Sequence, residues 1–161
     1  MARFPVFQSP FLDAAEKRMG SCENKVHCYM GDDTRPLSRI LAEDEAEVNA
    51  LGLTHEAIGH RLFHLAEQAK KGLGSPVVVE DRFLVAVEAA RGKLSCPFGH
   101  PGLFAKTHVV LVNQKTGESL VWSDLSMHLI AEHGFYQGKG SPYRLSPKKI
   151  AAVLGLSRAS H

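Results

Sequence analysis

A chain of 161 residues with 44% hydrophobic and 22% charged positions has the composition of a folded globular protein, and its length suits a single domain, residues 1–161. A formal charge of +2 is too small to imply a polyanionic partner, and three cysteines, an odd number, read as thiols kept free or metal-bound rather than bridged. No run approaches the roughly 18 apolar residues of a membrane span, and Pro5 and Pro10 break up the apolar N-terminus, so no membrane contact and a reducing, cytoplasmic setting are expected.

Residues 1–38 read as an irregular segment with one short helix near Leu12–Met19. Cys22, His27 and Cys28 fall here in an order that matches no common ligand pattern, and they read as free thiols beside a surface imidazole. Residues 39–74 are expected to be helical. An acidic helix over 39–50 stops before Gly52, and a second begins after Thr54, a natural N-cap. Ile58, Leu62, Leu65 and Ala69 make its apolar stripe, and Gly72 and Gly74 end it. His60 and His64, four apart, share a face that could clamp a metal, but that face points away from the stripe and reads as solvated surface.

Residues 75–145 are expected to hold the sheet and a metal unit. Val77–Val79 is β-branched, Glu80-Asp81 suits a turn, and Phe83, Val85 and Val87 alternate as in a half-buried strand, although the Ala-rich end of that segment also suits a helix. Residues 107–112 form a strong strand, Thr116-Gly117 a turn, and 119–122 the return strand. Ser123 or Asp124 should cap a helix that Gly134 ends. Residues 146–157 carry a last helix with Pro147 at its first position. The segment from Ile150 to Ser157 is similar to the first half of a helix-turn-helix, but too little chain follows to supply a recognition helix.

The chemistry concentrates between Cys96 and His133. Cys96 and His100 precede the strand pair; His128 and His133 lie on the helix after it. One thiolate and three imidazoles are a donor set for Zn2+, which takes four tetrahedral Cys and His ligands in structural sites. The interval from His100 to His128 exceeds the roughly 12 residues of the common zinc finger, a difference that longer strands would absorb. His128 and His133 are five apart, about 140° on an ideal helix, so their meeting calls for a helix that loosens near Gly134. The expected fold is therefore α+β, with N-terminal helices packed on a small antiparallel sheet and a zinc-ribbon or ββα-like metal unit.

Three functions follow from this reading. The first is a non-catalytic, zinc-stabilised protein that binds a partner through the glycine-rich loop 134–145, where Phe135, Tyr136, Lys139, Tyr143 and Arg144 combine rings with cations. The second is a nucleic-acid-binding zinc module, drawing on Lys139, Arg144, Lys148 and Lys149. The third is a metal-dependent hydrolase or nuclease, with His108 as base on a strand, or with Asp124 or Glu132 beside an open zinc.

The segments RPLSRIL, LGLTHEAIGHRL, CPFGHPGLF and TGESLVWSDLSMHLIAEHGFYQGKGSPYRL together resemble a family of small, uncharacterised bacterial proteins predicted to be cytoplasmic. The resemblance spans roughly residues 35–150. It implies a zinc-ribbon-like hairpin and no particular reaction.

Overall fold

The computed structural model describes residues 9–19, 29–89 and 91–156, and Cys22, His27 and Cys28 lie outside the described residues. The elements run α1 (Pro10–Met19), α2 (Leu37–Ala50), α3 (His55–Lys70), β1 (Val77–Val79), β2 (Phe83–Glu88), β3 (Lys93–Ser95), β4 (Leu103–Ala105), β5 (His108–Asn113), β6 (Ser119–Ser123), α4 (Asp124–His133) and α5 (Pro147–Leu154). The fold is α+β, as expected.

Local chemistry sets the helix limits. The Thr54 hydroxyl accepts the Ala57 N–H at the start of α3, and the Ser146 hydroxyl accepts the Lys149 N–H at the start of α5. Ser123 and Ser126 exchange side-chain and backbone hydrogen bonds as a capping box at the start of α4. Gly134, at φ 61°, ends that helix: its N–H donates to the Ile130 carbonyl and the Phe135 N–H donates to the Leu129 carbonyl.

Four strands form one antiparallel sheet in the order β1-β2-β5-β6. The Ala-rich end of β2 stays extended, with Ala86 opposite Val110 and Val87 opposite Val109. The register of β5 on β6 sets His108 opposite Ser123, so the start of β5 lies beside the point where α4 begins. Between β2 and β5 the chain makes an additional two-stranded hairpin, β3–β4, whose strands are too short to show a periodic signal. The Cys96–His100 knuckle is the tip of this hairpin, rather than a lead-in to the larger sheet.

Two apolar clusters fill the interior. In one, the α3 residues Ile58, Leu62 and Leu65 pack on Phe83, Val109, Leu111 and Trp122 of the sheet and on Ile150 and Val153 of α5. The other joins Ala15 and Met19 of α1, Leu37 and Ile40 of α2, and Cys96 and Phe98 of the knuckle. Helix α4 serves both, with Met127 and Ile130 in the first cluster and Leu125 and Leu129 in the second. It also crosses α3 closely, since a Cβ added at Gly59 would stand 2.7 Å from the Ala131 Cβ. Fully burying each such Leu or Ile side chain stabilises by about 1.5–3 kcal/mol, so α4 is fixed from both sides before any ion is considered.

The 134–145 loop departs from its expected role as a contact surface. Phe135 and Tyr136 are 0% and 1% exposed, because the chain turns inward after Gly134 and seats both rings in the core. Arg144 makes a two-pronged pair with the buried Asp44 of α2, at 2.9 and 3.1 Å, and its guanidinium also donates to the Gln137 carbonyl. Tyr143 is half-buried, its hydroxyl 3.4 Å from His108 Nε2; only Lys139 of the five is exposed. The glycines allow backbones to touch: Gly138 donates to the Tyr29 carbonyl at 2.7 Å, and a Cβ there would fall 2.1 Å from the Met30 carbonyl oxygen. α5 buries Ile150, Val153 and Leu154, so its apolar face is spent on the core. Among the described residues, no helix is long and apolar enough to cross a membrane.

Candidate metal centre

The knuckle is a tight turn laid against the end of α4. The Gly99 N–H donates to the Cys96 carbonyl at 3.0 Å, and Arg18 of α1 donates to the Pro97 carbonyl at 3.0 Å. Phe98 stacks on His133 with centroids 4.4 Å apart and meets Phe135 edge-on, while Phe104 of β4 covers His128 at 4.5 Å. These contacts press the knuckle onto the helix face that carries both histidines.

Cys96, His128 and His133 then offer donor atoms that all lie within 4.8 Å of one another, a group able to hold a metal ion. Cys96 Sγ is 3.4 Å from His133 Nε2. His100 approaches from the exposed side, with Nδ1 3.1 Å from His128 Nε2 and its ring edge-on to His133 at 5.8 Å. His100 stays outside the three-donor group. Cys96 is buried, at 3% exposure, and the two helix histidines are half-buried.

The electrostatics favour ligands over cations. Burial, then the neighbouring imidazoles of His128 and His100, push His133 down to about 4. Burial and then His100 also lower His128. Both rings are therefore neutral near pH 7 and keep a lone pair for a Lewis acid. Tyr29, raised first by burial and then by the charge of Cys96, stands close to the sulfur.

The approach of His128 and His133 is not achieved by loosening the helix. α4 remains regular through His133, and the two rings come to 5.1 Å, perpendicular to one another, by side-chain reach. The other candidates lie elsewhere. His60 and His64 are exposed on the outer side of α3, His108 packs on Tyr143 (27° between rings), and neither Asp124 nor Glu132 joins the donor group. Burial raises Asp124 above the ordinary carboxyl range.

Sequence reasoning missed a second polar feature beside this centre. A cleft of about 530 Å³ opens between the end of α2, the start of α3 and the end of α4, and its walls include Glu45, His55, Glu56, Glu132 and His133. On its α3 side His55 Nδ1 is hydrogen-bonded to the buried Tyr136 hydroxyl at 2.9 Å. The two residues are remote in sequence, and no local signal pairs them. Comparison of the chain with family models, curated proteins and solved structures finds no match.

Proposed function

We propose that this is a zinc-stabilised, non-catalytic protein of the cytoplasm, in which Cys96, His128, His133 and His100 hold Zn2+ and fasten the β3–β4 hairpin to α4 so that a partner protein can be bound. The observation that carries the reading is the convergence of Cys96, His128 and His133 within 4.8 Å, with His100 against His128, and two of the donor edges already near tetrahedral values. Zn–S and Zn–N bonds of about 2.3 and 2.0–2.1 Å at tetrahedral angles give S···N and N···N edges of about 3.5 and 3.3 Å. The Cys96–His133 and His100–His128 separations are 3.4 and 3.1 Å. The His128 and His133 rings are neutral near pH 7, and the Cys96 sulfur is buried.

A structural role fits the position of the site. The hairpin has only three residues per strand and would be marginal alone. An ion shared between its tip and α4 ties it to the better-packed half of the molecule.

Elemental analysis of the purified protein tests the reading directly. One zinc per chain is expected, lost in Cys96→Ser together with thermal stability. A chain that takes up no Zn2+ at neutral pH, and melts identically with and without Cys96, overturns it.

A further inference from the structure

The four donors are not equivalent, and this difference points to a property beyond stabilisation. Cys96, His128 and His133 are anchored: the sulfur is buried, Phe98 stacks on His133, and Phe104 covers His128. His100 is exposed, its ring stacked on His128 (centroids 4.8 Å, 8°) and edge-on to His133, and it lies in a loop between Gly99 (φ 83°) and Gly102 (φ 114°). A Cβ added at Gly102 would meet nothing within 4 Å, so no packing holds that side of the loop. The three anchored donors converge within 4.8 Å without His100.

We infer that the fourth coordination position is exchangeable: His100 fills it at rest and gives way to a small anionic donor from solution, such as a thiolate or azide. The inference rests on the zinc reading above. In the exchange, one metal–imidazole bond at His100 would break as the incoming anion forms one bond, the His100 ring would leave with its lone pair into solvent, and no electron would move. Charge supplies the preference. Zn2+ with one thiolate and neutral imidazoles retains a net charge of +1, which an anion neutralises and an imidazole does not. Exposed Glu132 lies near both helix histidines and outside the group of three converging donors.

The test uses the full chain loaded with Co2+, whose visible spectrum reports both sulfur ligation and coordination geometry. A cobalt–thiolate band that depends on Cys96 establishes the metal site itself; its absence overturns the zinc reading and this inference with it. With that band present, titration with azide should shift the d–d bands of the wild type while the thiolate band persists. His100→Ala should retain bound Co2+ and bind azide at least tenfold more tightly, because no internal ligand competes. Two results overturn the inference while leaving the zinc site standing: wild-type d–d bands unmoved by about 100 mM azide, or His100→Ala that no longer holds Co2+. Far-ultraviolet circular dichroism of the variant separates loss of the ligand from loss of the fold.

Discussion

If one ion joins the knuckle to α4 only in the folded state, stability must depend on free zinc in a fixed way. The perturbation is buffered free Zn2+, varied over several decades at neutral pH with the chain fully reduced. A ligand that binds one site on the folded chain stabilises it by RT ln(1 + [L]/Kd), so above saturation each tenfold rise in zinc adds about 1.4 kcal/mol. For a chain of this length about 1 kcal/mol shifts the melting temperature by roughly 2–4 °C, which makes the expected slope about 3–6 °C per decade. The structure supports a single site, because the described residues contain one group of three converging Cys, His, Asp or Glu donors. The three-residue strands of the hairpin and its shared cluster with α1 and Phe135 should respond first. Differential scanning fluorimetry in metal buffers measures the slope, and Cys96→Ser should flatten it. A melting temperature independent of zinc, or a slope unchanged in Cys96→Ser, refutes the reasoning.

Further outcomes follow from other parts of the molecule. Asp44→Ala should cost about 3–5 kcal/mol in urea unfolding, since it strands Arg144 in a largely buried position without its carboxylate; a loss below 1 kcal/mol would mean that the pair is dispensable. Gly59→Leu should destabilise by about 1–3 kcal/mol or more, despite better helix propensity, because even a Cβ meets Ala131 at 2.7 Å. Burial lowers His55, against the opposing pull of Glu45 and Asp44, so its folded form stays neutral below the ordinary histidine value of 6.5. The unfolded chain then binds the extra proton first, and this contribution to stability is present above pH 6.5 and declines as pH falls through the folded midpoint. NMR titration of the His55 ring should place its midpoint below 6.5, and His55→Gln should reduce the acid sensitivity of the urea midpoint.

The contrast between two histidine pairs shows what a linear reading can and cannot locate. His60 and His64 have the spacing that shares a helix face, yet they remain exposed on α3. His128 and His133 have the less favourable spacing, yet they meet Cys96, because the hairpin tip is laid against the end of α4. Spacing describes one helix; a metal group also depends on what another part of the chain brings to that helix. The same distinction explains loop 134–145, where rings and cations suggested an outer surface. The glycine-rich sequence around Tyr136 does not disclose that Gly134 turns the chain inward, or that Asp44 awaits Arg144.

By itself the sequence determined the elements whose signals are local. The α3 stripe, the Ser and Thr caps, the alternating β2 and β5, and the glycine stops act through hydrogen bonds and side-chain periods within a few residues. It also determined which donor types a metal could meet, since thiol and imidazole are present or absent as residue types. Tertiary structure alone decided the β3–β4 hairpin, the inward course of loop 134–145, the His55–Tyr136 pair, and which three donors converge. Each of these depends on burial against remote segments, and a three-residue strand or a single turning glycine is too short to carry that information in its own pattern.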